Sequence, residues 1–151
     1  MIKDLIVSSD NKFRIDKKNI HSIVAFLKNE LNFTIFALEI NFISNDEILR
    51  INKEFLDHHY YTDIITFNYS GENENLEGEL FISYDEALEN SKKYKCSFND
   101  EIVRLVIHGI LHLLGFDDVK EEDKKNMKKQ ENKFLKLTLD NVNSKIVKDD
   151  K

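Results

Sequence analysis

Proline and tryptophan are both missing from this chain of 151 residues, and cysteine occurs once, as Cys96. A single thiol forms no internal disulfide, so a packed core must hold the fold, and a lone thiol suits a reducing compartment. No apolar stretch approaches the ~20 residues needed to cross a bilayer. The start, MIKDLIVSSDNKFR, lacks the basic region and apolar run of a secretory leader. These absences lead us to expect a soluble cytoplasmic protein with no membrane partner. Glycine is scarce too, with only Gly71, Gly78, Gly109 and Gly115. There is no repeat and no linker-like stretch, so residues 1–151 read as one domain. No exposed apolar stripe stands out, and a monomer is the expected state.

An excess of basic charge is also absent. Lysine and arginine total 22 against 28 acidic residues, for a formal charge of −6. A protein that binds nucleic acid through its overall field is normally basic, so any RNA-handling role here needs a local basic face or a partner. Lys120, Lys124, Lys125, Lys128, Lys129, Lys133 and Lys136 form one candidate. Charge runs are usually solvated, and the same run reads as a solvated helix face balanced by Glu121, Glu122, Asp123 and Glu131.

What is present is a 41% hydrophobic fraction, enough for a core, arranged in alternating helical and strand patterns. A short strand over 4–8 precedes a turn at Asp10–Asn11. Asp16 is placed to cap a helix carrying Ile20, Ile23, Val24, Leu27 and Leu31. Residues 34–44 read as a strand with Phe36, Leu38, Ile40 and Phe42 on the more apolar face and Ile35 on the other. Ser44 with Glu47, and Ser83 with Glu86, are capping boxes opening helices to about Leu56 and Tyr94. Strands are expected over 62–70 and 78–83, with a turn between them. From Asn99 or Asp100 to Leu114 runs a helix apolar nearly all round, hence buried. A charged helix over about 120–137 follows, and the end of the chain reads as frayed. The class is α+β: a small mixed sheet of about four strands covered by helices, with a zincin-like metal-binding helix at the centre.

That buried helix carries the chemistry. His108 and His112 are four apart and share one helix face, so both imidazoles can reach one ion. Gly115 can take the left-handed conformation that reverses the chain and returns residues 117–118 toward the histidines. The full pattern H-x-x-x-H-x-x-G-x-x-D points to one divalent ion, Zn²⁺, on His108, His112 and Asp118. Asp117 is the alternative third ligand, or a residue that orients His112 or the water from behind. Three protein ligands leave a fourth position for water, as in catalytic zinc sites. Metzincin peptidases share the spacing, but their general-base glutamate follows the first histidine. Here that position is Gly109, and Met1 and Met127 supply no evident Met-turn.

The run His108-Gly109-Ile110-Leu111-His112-Leu113-Leu114-Gly115-Phe116-Asp117-Asp118 resembles the H-G-x-L-H-L-x-G-Y-D-H motif of the YbeY endoribonucleases. It departs at Phe116 and at Asp118, where that family usually has a third histidine. Asn52 through Phe67 is similar to the family's N-x-x-Y-R-x-x-D-x-P-T-D-V-L-S-F, and Gly78 through Ser83 to its G-D-I-x-I-S. The family's functionally important arginine falls on Leu56, and the aspartate three residues later on His59. Lys53, His58 and His59 are the nearby cations, the histidines also reading as a solvated loop pair. The resemblance implies a single-strand-specific, metal-dependent endoribonuclease acting on rRNA precursors, chiefly near the 3′ end of small-subunit rRNA. It implies as partners the small ribosomal subunit and ribosome assembly factors. Asp63 and Glu79 are candidate cleft carboxylates. Tyr60, Tyr61, Phe67, Tyr69 and Phe116 are candidate base-stacking residues, core packing being the competing reading. Two alternatives stay open: an assembly factor with a structural metal, and another zinc hydrolase such as a peptidase or small-phosphoester enzyme.

Overall fold

In the computed structural model, which describes residues 2–10 and 12–148, four strands and five helices follow one another. They are β1 (Leu5–Ser9), α1 (Lys17–Leu31), β2 (Thr34–Ile43), α2 (Asn45–Leu56), β3 (Ile64–Asn68), β4 (Asn75–Ser83), α3 (Tyr84–Lys93), α4 (Phe98–Leu113) and α5 (Glu121–Asn141). The sheet order is β1-β2-β4-β3. The pairs β1–β2 and β2–β4 are parallel, and β3 is antiparallel to β4. This is the mixed four-stranded sheet the sequence pattern implies.

One sheet face and three helices make the main core. Leu5, Val7, Leu38, Ile40, Leu80 and Ile82 pack there against apolar faces of α1, α4 and α5. On the opposite face Ile48 and Ile51 of α2 close over Ile65, Phe67 and Phe81. Helix α4 is the central element: ten of its residues are buried, from Glu101 to Leu113. Gly109 lets it approach the sheet, because a Cβ there would stand 2.6 Å from Leu80 Cδ1 and 3.0 Å from Ile64 Cδ1. The absence of a side chain at that position thus serves packing.

The caps form as read. Asp16, Ser44 and Ser83 accept from the backbone N–H groups of Asn19, Glu47 and Glu86. Four boundaries differ from expectation. Helix α4 starts at Phe98, because Ser97 is its cap and accepts from Asp100 N. Strand β3 is shorter than expected, over Ile64–Asn68, and β4 begins at Asn75. Helix α5 runs on to Asn141 because Phe134 and Thr138 continue its buried stripe.

Two further readings are corrected. A register shift between Ile35 and Ala37 inserts a bulge into β2. The extra residue puts Ile35 on the core side with Leu38 and leaves Phe36 62% exposed. The chain end is anchored through Lys148: Ile146 is fully buried, Val147 bridges Ile15, and Lys148 N donates to Arg14 O. Asn11, part of the expected turn, and residues 149–151 lie outside the described residues.

Candidate metal centre

The end of α4 builds the site. Gly115 has φ +102°, and its N–H donates to His112 O while Phe116 N donates to Leu111 O. That pair of bonds is the Schellman pattern, which satisfies helix-end carbonyls while turning the chain back. Asp118 is returned to the histidine face. Its Oδ2 lies 3.4 Å from His112 Nε2 and 3.7 Å from His108 Nε2. One ligand atom from each of the three residues falls within 4.8 Å of the others. All three residues are half-buried, open enough for a ligand to enter.

Asp117 does something else. Its Oδ1 accepts from Asp118 N at 2.7 Å and from Val119 N at 3.3 Å. The carboxylate is a local turn cap, the ordinary use of aspartate in a loop. It shapes the backbone that presents Asp118 and makes no hydrogen bond to His112.

The carboxylate that does meet a histidine is Glu131 of α5, which accepts from Nδ1 of His108. That bond puts the proton on Nδ1 and leaves Nε2 as the free donor atom for an ion. Glu131 is 5% exposed. Arg104 Nη1 donates to the same oxygen at 3.2 Å, and Arg104 also holds Glu101 through bonds of 2.6 and 2.8 Å. The two carboxylates keep the Arg104 guanidinium charged, well above its ordinary range, against the opposing effect of burial. Asn90 extends the network, donating to Glu101 at 3.1 Å and to Asp63 at 3.0 Å. Reading Glu131 as part of a solvated face was wrong. The available clue was its register: Met127, Glu131, Phe134 and Thr138 make one helical stripe, and all four are buried.

A cleft of about 390 Å³ opens over His108, His112 and Asp118. Its other wall is the end of α2 and the segment leading into β3, including Leu56, His58, Tyr60 and Asp63. Of the candidate cleft carboxylates and base-stacking residues named above, Asp63 and Tyr60 thus reach the site. Glu79 does not. It lies in a groove on the α2 side of the sheet with Phe67 and Tyr69. There it accepts from the Tyr69 hydroxyl at 2.6 Å, a bond that pushes the Tyr69 phenol up to about 12. Phe116 packs on the main core. Tyr61 is exposed and lies outside the cleft lining. The seven lysines at 120–136 are all exposed.

A mixed parallel and antiparallel sheet with a central helix presenting a half-buried His-His-Asp set beside an open cleft defines a zincin-like, metal-dependent hydrolase. Comparison with known proteins narrows this. Residues 6–138 match the family described as Endoribonuclease YbeY. Endoribonuclease YbeY of Chlorobium phaeobacteroides is 42% identical over 114 residues, 76% of this chain and 80% of the relative. Endoribonuclease YbeY of Azobacteroides pseudotrichonymphae is 51% identical over 94 residues, 62% of this chain and 67% of the relative. Among solved structures, the solution structure of TM1509 from Thermotoga maritima superposes with a TM-score of 0.63 and 25% identity over 87% of both chains. The chain belongs to the YbeY endoribonuclease family, and it carries aspartate as the third member of the metal-binding set.

Proposed function

We propose that this chain is a zinc endoribonuclease that cuts single-stranded RNA, with rRNA precursors as substrate and the 3′ end of small-subunit rRNA as the main target. The observation carrying this is the convergence of His108 Nε2, His112 Nε2 and Asp118 Oδ2 at the mouth of a cleft in a YbeY fold. Two imidazoles and a carboxylate are an established donor set for Zn²⁺. The anchoring of His108 by buried Glu131 is the support that such sets use. An ion held there supplies Lewis acidity and an activated water.

The chain's own residues supply position and shape. Glu131 and Arg104 fix the His108 ring, and the Gly115 turn with its Asp117 cap fixes Asp118. The reaction forms a water-oxygen-to-phosphorus bond and breaks one phosphodiester P–O bond. Attack by the RNA's own 2′-hydroxyl is the competing chemistry, and it leaves cyclic phosphate ends. Finding 5′-phosphate ends removes that competitor.

The reading includes one domain over 1–151, a monomer, and work in the cytoplasm with the small ribosomal subunit and assembly factors. Among the described residues no helix is long and apolar enough to cross a membrane. Docking on a ribosomal particle would supply the RNA affinity that a chain of charge −6 lacks by itself. Against a purely structural metal stands Asp117: its carboxylate is turned onto backbone N–H groups, so it offers no fourth ligand to close the site. The test compares zinc-loaded wild type with His112→Ala on RNA from the small-subunit 3′ region, with bound metal assayed in both. Wild type is expected to cut and His112→Ala to lose both zinc and cleavage. Metal bound to wild type without cleavage, on bare RNA and on particles alike, would sink the enzyme reading.

A further inference from the structure

Phosphodiester cleavage builds negative charge on the phosphate oxygens, and a site gains most from donors already aimed at them. This cleft already contains the carboxylates Asp63 and Asp118, and no lysine or arginine lines it among the described residues. Lys53 is exposed and outside the lining, and His59 turns toward Asp57, Nε2 to Oδ1 at 3.7 Å. Leu56 lines the cleft but is apolar. Outside the metal-binding set, the one imidazole, ammonium or guanidinium group in the lining belongs to His58.

The fold ties down the segment that carries this ring. His58 N donates to Asn52 O at 3.0 Å, and Asn52 Nδ2 donates to Tyr60 O at 2.9 Å. Asn52 is 1% exposed, so the exposed loop hangs from one buried residue, through its main-chain carbonyl at His58 and through its side-chain amide at Tyr60. The rings of His58 and Tyr60 stack, with centroids 5.1 Å apart and planes 18° apart. Tyr60 Oη lies 3.1 Å from His58 Nδ1. With the phenol donating to Nδ1, the neutral imidazole carries its proton on Nε2.

We infer that His58 donates its Nε2–H to a non-bridging oxygen of the phosphate being cut, with Tyr60 as the positioning residue that sets its tautomer. The inference rests on the ribonuclease reading above. It identifies a phosphate contact on the wall facing the metal set, at a position where charge strengthens as the reaction proceeds. Such a contact acts on kcat more than on KM.

The experiment measures kcat, KM and zinc content for wild type, His58→Ala, His58→Arg and Tyr60→Phe on one single-stranded RNA. His58→Ala should lose about 100-fold in kcat, in the range for removal of one such donor, while keeping its zinc and its urea midpoint. His58→Arg should recover part of the loss, because a guanidinium also donates to phosphate. Tyr60→Phe should fall between. A readout that a purely structural role would not move is a phosphorothioate at the cut. Sulfur at one of the two non-bridging positions should slow wild type more than His58→Ala. An unchanged kcat in His58→Ala, or equal sulfur effects in both proteins, would overturn the inference. A wild type that cuts no RNA removes the ribonuclease reading itself, and this inference falls with it.

Discussion

Glu131 accepts the Nδ1 proton of His108 across a gap of 23 residues and two helices, so α5 supports a site that α4 presents. Carboxylate support of this kind raises the basicity of the ligating nitrogen and fixes the ring plane. Glu131→Gln should therefore weaken zinc binding roughly 10- to 100-fold. Competition against a chromophoric chelator measures this directly, without any RNA. An affinity equal to wild type would show that the contact does not tune the metal.

Arg104 is the only arginine or lysine that the network around Glu101 and Glu131 shows among the described residues. Glu101 is 1% exposed and Glu131 5%. Arg104→Met removes the cation and leaves two buried carboxylates with only the Asn90 amide and the His108 imidazole as partners. Breaking a buried ion pair from one side costs about 3–5 kcal/mol. Urea denaturation should show a loss in that range, and a loss below about 1 kcal/mol would mean that the acids find other partners.

Gly109 faces Leu80, which is fully buried and has little room to move. Gly109→Ala should push α4 away from β4 and cost about 1–3 kcal/mol, as overpacking does. It should also weaken metal binding, because His108 and His112 ride on the same helix. Thermal unfolding with and without zinc tests both halves. A variant as stable as wild type would show that Leu80 can swing clear.

His21 is buried on α1 and its Nδ1 accepts from Ile2 N at 3.1 Å. Burial pushes the imidazole below its ordinary 6.5. Below 6.5 the unfolded chain takes up a proton there that the folded chain resists. The stability from this group is fully present above 6.5 and is lost as pH falls through the lower folded value. Urea midpoints between pH 7.5 and 5 should fall more steeply for wild type than for His21→Phe. Parallel curves would show that His21 titrates alike in both states.

Much of this was legible in local pattern because the causes are local. Ser44 and Ser83 cap helices with their own hydroxyls. His108 and His112 share a face by helical period alone. Gly115 marks a reversal because a left-handed residue must sit where the helix ends. Asp118 rather than Asp117 follows from the length of that turn. Each of these depends on residues within about ten positions of one another.

What failed to be legible depends on neighbours distant in the chain. The bulge at Ile35–Ala37 is a register choice made with β4, about forty residues away. Ile146 is buried through contacts with residues distant in the chain: Asp16 N donates to its carbonyl, and Asn99 Oδ1 accepts from its N–H. Glu131 looks like one acid among many until α5 docks on α4 and brings it to His108. His58 is an exposed loop residue, as its sequence reading allowed, and only packing sets it in the cleft lining with the Tyr60 ring stacked on it. The sequence by itself determined the three metal-binding side chains and the helix that carries two of them, since spacing along one helix and one turn suffices. Only the tertiary structure decided what supports them and what faces them, since those partners meet through packing and leave no fixed spacing to read.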